Sequence, residues 1–151
     1  PDKLAGKLVG EKVLDLRKGK NYINKEIFDL FFIEERKSET DLWEKIKNNY
    51  LRGELAVIGI EDVLCSAKMG RVEKVIVNRN FKMNGIRCRD CEGLFAGEFD
   101  KCPDCDSRSV FRVDIINEIV ELLSKTNAQV DFVDEIEELK DLGNIAALLR
   151  Y

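Results

Sequence analysis

Leu55-Ala56-Val57-Ile58-Gly59-Ile60-Glu61-Asp62-Val63-Leu64-Cys65-Ser66-Ala67-Lys68-Met69-Gly70-Arg71-Val72-Glu73-Lys74-Val75-Ile76-Val77 changes its apolar period twice. Leu55 to Ile58 is a short apolar run stopped by a glycine, as a buried strand is. Ile60, Val63, Leu64 and Ala67 then recur at helical spacing, and Gly70 closes that helix. Val72, Val75, Ile76 and Val77 are all β-branched and form the next buried strand. Strand, helix and strand within so few residues predict a sheet with helices laid on its faces.

The stretches downstream continue the alternation. Asp114 caps a helix whose inward face is Ile115, Ile116, Ile119, Val120 and Leu123, with Asn127 as its C-terminal cap. Ala128 to Val133 alternates like a strand. Asp134, with Glu137 three residues on, starts a short helix through Ile136 and Leu139 that Gly143 ends, and Ile145 to Leu149 is the last strand. From Leu55 onward the order is strand, helix, strand, insert, helix, strand, helix, strand, which specifies an α/β sandwich.

Upstream the signals are weaker. Leu8, Val9, Val13, Leu14 and Leu16, scattered among Gly and charged residues between Leu4 and Leu16, suit a strand better than a helix. Asn24 caps a buried helix carrying Ile27, Phe28, Leu30, Phe31 and Phe32. Ser38 and Asp41 open a second, amphipathic helix with Leu42, Trp43, Ile46, Tyr50 and Leu51 that ends near Gly53. The expected division is therefore residues 1–53 as one element and residues 54–151 as the α/β unit, with an insert at about residues 82–112.

That insert carries the chemistry. Cys88-Arg89-Asp90-Cys91 and Cys102-Pro103-Asp104-Cys105 are two Cys-x-x-Cys turns separated by ten residues. Each turn aims two thiolates at one point, and a tetrahedral zinc ion takes four such sulfurs at about 2.3 Å. Iron in a rubredoxin-like site is the competing metal. A redox dithiol is disfavoured, because it occurs as a single Cys-x-x-Cys in a thioredoxin-like setting that is missing here. A closed site of four cysteines leaves no coordination position for water, so one structural zinc is expected to order the insert rather than to catalyse. Cys65, the fifth cysteine, reads as a small core residue on the buried side of its helix.

Composition narrows the function. The 151 residues include 25 Lys and Arg against 29 Asp and Glu, for a formal net charge of -4, so no excess of positive charge points to nucleic acid as the main partner. Five cysteines and no histidine argue against a secreted disulfide framework and exclude every Ser-His and Cys-His constellation. Neither a dinucleotide fingerprint nor a phosphate-binding loop is present, and the chain reads as a non-enzyme. No apolar run is long enough to span a bilayer, so the expected location is the cytoplasm. A start at Pro1 reads as a fragment cut from a longer protein. The C-terminal third is acidic, and Glu118, Glu121 and Glu138, which helical spacing turns away from Ile115, Ile119, Leu123 and Leu139, are the candidate partner-binding residues. The basic run Arg17-Lys18-Gly19-Lys20 reads as a solvated turn.

Three stretches carry a family resemblance. Leu55 to Val63, Ala67 to Val75, and the closing Leu142-Gly143-Asn144-Ile145-Ala146-Ala147-Leu148-Leu149-Arg150-Tyr151 resemble the C-terminal domain of the archaeal and eukaryotic class I peptide chain release factor. The archaeal branch is similar also in placing a cysteine-rich mini-domain after the second strand. Ile58 stands where that family usually has Tyr, Asn144 replaces the second Gly of the closing motif, and the Gly-Gly-Gln loop of peptide release lies outside these residues. The resemblance implies the sandwich also seen in kink-turn-binding ribosomal proteins. It makes residues 1–53 the end of a middle domain and its connecting helix. It also implies docking to a translational GTPase of the elongation factor 1α type, to the ribosome and to the recycling ATPase, in translation termination. Pelota-type and Vms1-like rescue factors share this fold. The alternative from another class is an RNA-binding module, with the zinc mini-domain as the RNA contact.

Overall fold

The computed structural model describes residues 13–151, so most of the expected strand between Leu4 and Leu16 lies outside the described residues. Its end is not extended: Leu16–Lys18 is a 3-10 turn capped by the Asp15 carboxylate. The chain forms two compact units that divide between Glu44 and Lys45. One helix, α1 (Lys20–Leu51), replaces the two helices expected around Asn24 and Ser38. Nothing between those residues is Gly or Pro, so no backbone break interrupts the hydrogen-bond ladder, and Ser38 sits inside it. Nor is the first part of α1 buried as expected. Phe28 is 68% exposed and Phe31 54%, and Tyr50 and Leu51 near its end are exposed as well. Periodicity marks a stripe as apolar but says nothing of what covers it.

The second unit realises the predicted α/β order: β1 (Ala56–Ile58), α2 (Ile60–Lys68), β2 (Val72–Asn78), the insert strands β3 (Asn84–Cys88), β4 (Leu94–Ala96) and β5 (Val110–Asp114), α3 (Ile115–Lys125), β6 (Gln129–Val133), α4 (Glu137–Asp141) and β7 (Ile145–Leu149). Four strands form one sheet in the order β1-β7-β2-β6, and the insert forms its own three-stranded sheet, β4-β3-β5. Strand β6 lies parallel to β2, whereas β7 is antiparallel to both its neighbours, with Ala147 opposite Val57 on one side and Val75 on the other. All five residues of β7 are buried.

Helices α2 and α3 close the core. Val63, Leu64 and Ala67 of α2 join Ile115, Ile116, Ile119 and Leu123 of α3 over Val75, Val77 and Ile145. Cys65 is exposed, contrary to the expected core role, and Ser66 takes the buried place beside Ala67. The face of α2 is set by Val63, Leu64 and Ala67, and Cys65 falls outside that stripe. Asp114 caps α3 as expected, accepting from the Ile116 amide at 3.0 Å, and Asn127 beyond its end has φ +55°. Asp134 does not cap α4. It pairs with Arg79 at 3.1 Å, while the cap position falls to Ile136.

A distant side chain takes over that capping. Asn78, 2% exposed at the end of β2, accepts from the Ile136 amide at 3.0 Å and donates to the Ile136 carbonyl at 3.2 Å and to Asn144 Oδ1 at 3.0 Å. Asn144 has φ +66°, a left-handed conformation that asparagine tolerates better than other side chains. The insert is seated with equal closeness: a Cβ on Gly85 of β3 would lie 2.2 Å from Ile115 of α3. Replacing Asn78 with Ala strands the Ile136 amide and removes the support of Asn144, and is expected to cost about 2–3 kcal/mol in urea denaturation; a loss below about 0.5 kcal/mol would contradict this account.

Candidate metal centre

The insert's loops repeat one geometry. In the first turn the Cys88 amide donates to the Gly93 carbonyl at 2.9 Å; in the second the Cys102 amide donates to the Ser107 carbonyl at 2.7 Å. Each turn is followed by a left-handed residue, Glu92 (φ +59°) after Cys91 and Asp106 (φ +63°) after Cys105. Both turns thus fold back within five residues, pointing two sulfurs inward. They are stitched together by the Arg89 amide donating to the Ser109 carbonyl at 2.9 Å and by the Ser107 hydroxyl donating to the Asp90 carboxylate. Gly93 leaves room: a Cβ there would fall 2.8 Å from the Phe95 ring and 3.2 Å from Cys91 Sγ.

All four sulfurs expected from the spacing are brought together, every pair within 4.8 Å, with Cys88 to Cys105 at 3.6 Å and Cys91 to Cys102 at 3.5 Å. A tetrahedral ion with metal–sulfur bonds of about 2.3 Å requires sulfurs about 3.8 Å apart, whereas a disulfide would bring them to about 2.05 Å. Cys88 and Cys102 are buried, and Cys91 and Cys105 face outward. The crowding splits the thiols. The Cys91 amide, opposed by burial, holds the Cys88 thiol down to about 7. At Cys105 the Ser107 amide pulls downward, but burial and the three neighbouring sulfurs push harder, up to about 12. Four cysteine sulfurs crowded at one point are the donor set a divalent cation stabilises.

The three candidate glutamates do not form one cluster. Glu118 on α3 is held by Arg87 of β3, an ion pair that ties the insert to the helix. Glu121 pairs with Lys125 one turn on at 3.3 Å, and Glu138 with Lys47 of α1 at 2.8 Å. Arg87 as a positioning residue escaped the sequence reading, since the contact joins residues 31 apart. The left-handed residues did leave a trace: both turns read Cys-x-Asp-Cys followed by an acidic residue.

Comparison with known proteins is decisive about the family. The profile of eRF1 domain 3 matches residues 32–151. The chain belongs to the eRF1 domain 3 family. Peptide chain release factor subunit 1 of Archaeoglobus fulgidus is 29% identical over 129 residues, covering 75% of this chain and 32% of that protein; the chain thus spans about a third of its curated relative. The C-terminal domain of a peptide chain release factor from Methanosarcina mazei superimposes with a TM-score of 0.64 at 21% identity, covering 93% of this chain and 98% of that one. Two further solved structures share the fold. Dom34 of S. cerevisiae, a translation termination-like factor interacting with Hbs1, has a TM-score of 0.55 at 13% identity and covers 88% of this chain and 33% of its own. Ribosome-bound archaeal Pelota with ABCE1 gives 0.53 at 23%, covering 93% and 34%.

The left-handed hinges make the knuckles testable. Glu92→Gly is expected to stabilise the insert by about 1 kcal/mol, and Glu92→Val to destabilise it by at least as much, because a β-branched side chain resists positive φ. Thermal unfolding of the two variants measures this, and equal melting temperatures would refute it.

Proposed function

We propose that this chain is the C-terminal, partner-binding part of a translation termination factor, working in the cytoplasm at the ribosome. Residues 54–151 form the docking domain, with the mini-domain inserted at about 82–112, and residues 1–53 lead into it from a middle domain. The observation that carries the reading is the match to eRF1 domain 3 over residues 32–151, supported by a release-factor C-terminal domain that superimposes over nearly its whole length. The task of this part is binding rather than catalysis. The partner is a translational GTPase of the elongation factor 1α type, with the recycling ATPase as a second; Dom34 with Hbs1, and Pelota with the ribosome and ABCE1, offer precedents in the same fold.

One zinc ion held by Cys88, Cys91, Cys102 and Cys105 orders the mini-domain in this reading. The donor set is all thiolate, and the sulfur spacing suits a tetrahedron. Of the glutamates, Glu121 and Glu138 keep 62% and 59% of their side chains exposed and offer the approaching GTPase its charge. Glu118 adds to that field from its seat on Arg87. Exposed carboxylates of this kind chiefly speed encounter. A second reading, RNA contact through the mini-domain, is favoured by Arg89, stacked 5.3 Å over the exposed Phe111 ring.

Elemental analysis of protein purified under reducing conditions should find one zinc per chain, and none in Cys91→Ser. The variant should melt several degrees lower because Leu94, between the two turns, is part of the core. Stoichiometric iron or no metal would remove the zinc assignment.

Titration with the elongation factor 1α homologue of the same organism should show binding that weakens with salt. Glu121→Lys and Glu138→Lys should each lower the association rate several-fold with little change in dissociation. Tight binding of a kink-turn RNA without binding of the GTPase would sink the docking proposal and promote the RNA reading.

A further inference from the structure

Away from the glutamates, helix α2 and strand β4 leave a groove between them of about 300 Å³. Leu64 and Leu94, both buried, form its floor, and Phe95, Phe99 and Pro103 of the insert form one wall. Phe99 is 44% exposed, an aromatic ring held at the rim, its edge set against Phe95 at 6.4 Å between ring centres. Strand β4 is an edge strand, and the groove runs along it.

Among the charges near the groove unpaired carboxylates predominate, Arg108 beside Phe99 and Asp100 being a cation with no ion-pair partner among the described residues. Lys68, on the α2 wall, turns its ammonium toward the insert: it donates to the Leu94 carbonyl and lies 5.1 Å over the Phe95 ring. Glu61, on the same wall, has no ion-pair or hydrogen-bond partner among the described residues, and neither have Asp100 and Asp104, which adjoin Phe99 and Pro103. An apolar slot beside which unpaired carboxylates predominate disfavours a phosphate backbone, and it attracts an apolar segment that carries its own positive charge. Its volume, at the lower end of ligand cavities, suits one or two large side chains rather than a whole helix face.

We propose that this groove is a second docking site, which takes an aromatic or branched aliphatic anchor flanked by Lys or Arg on a protein partner. The anchor fills the slot over Leu64 and Leu94, and the flanking cations meet Glu61, Asp100 and Asp104. Because the wall opposite α2 belongs to the insert, the site exists only while the mini-domain is folded. It therefore gives the cysteine knuckle a role in recognition besides its own ordering. The site is separate from the glutamates of α3 and α4, so it does not depend on the GTPase reading.

The test is an amide NMR titration of the whole 151-residue chain with three probes: a short peptide bearing Phe and Leu between lysines, its glutamate-flanked counterpart, and oligouridine. The lysine peptide should shift the amides of Leu64, Lys68, Ala96 and Phe99 and bind at least about tenfold more tightly than the glutamate peptide at low salt, with the gap narrowing as salt rises. Ala96→Trp, which fills the slot, should weaken binding about tenfold. Glu61→Lys, a solvent-facing change that leaves the core intact, should reduce the preference for lysine flanks. Equal binding of the two peptides, shifts confined to another surface, oligouridine binding in the groove, or unchanged affinity in both variants would overturn the proposal. A GTPase that fails to bind would leave these outcomes unaltered, and a failed peptide would leave the GTPase titration standing.

Discussion

Strand β7, last of the elements in the chain, lies in the interior of the sheet, hydrogen-bonded to β1 on one side and β2 on the other. Until it inserts, β1 has no partner in the sheet, and β2 is paired only with β6. A strand buried on both faces must be apolar along its whole length, and Ile145-Ala146-Ala147-Leu148-Leu149 is. The two alanines are as telling as the larger residues. Ala147 sits between Val57 and Val75, and a small side chain there lets the β-branched neighbours fill the space beneath α2. The turn that delivers the strand is fixed by the left-handed Asn144 and its bond from Asn78. One buried amide thus joins the end of β2, the start of α4 and the entry to β7.

The mini-domain is less of an appendage than a cysteine insert suggests. Its own sheet is small, but β3 passes so close to α3 that Gly85 has no room for a side chain, and Leu94 lies within the main hydrophobic cluster. The Arg87 to Glu118 pair adds a polar tie across the same junction. An ion at the four sulfurs would then brace one end of a sheet whose other end is already anchored on the core. Rigidity of that kind suits a surface that must present side chains to a partner without first ordering them.

Charge is distributed in a way that net charge conceals. Glu118, Glu121 and Glu138 on α3 and α4 are matched by Arg87 and by nearby lysines, whereas the carboxylates around the α2 and β4 groove have no ion-pair partner among the described residues. Exposed pairs such as Glu121 with Lys125 contribute little to stability and leave their field available to a visitor. The arginine on Phe111 is the counterweight, a small cationic and aromatic patch on the insert.

Periodicity and punctuation carry most of the fold in the sequence. The short strands, the α2 and α3 stripes and the Asp114 cap are local, and local backbone physics repeats wherever such patterns occur. The cluster of four cysteines is legible for the same reason: Cys-x-x-Cys is a local turn, and four sulfurs need only two such turns brought together. Expectations that depend on neighbours far along the chain fare worse. The aromatic stripe of α1 reads as buried and is exposed, Cys65 reads as core and faces solvent, and Asp134 yields the capping of α4 to Asn78. No sequence window holds Asn78 and Ile136 together, nor Gly85 and Ile115, nor Glu118 and Arg87. The elements, the α/β order and the pairing of the cysteines in two turns therefore follow from the chain alone, because each is written in spacings of a few residues. Which faces are covered, which charges are spent inside the fold and which remain for a partner follow only from the folded arrangement, because burial and pairing belong to contacts between segments that meet once the chain has folded.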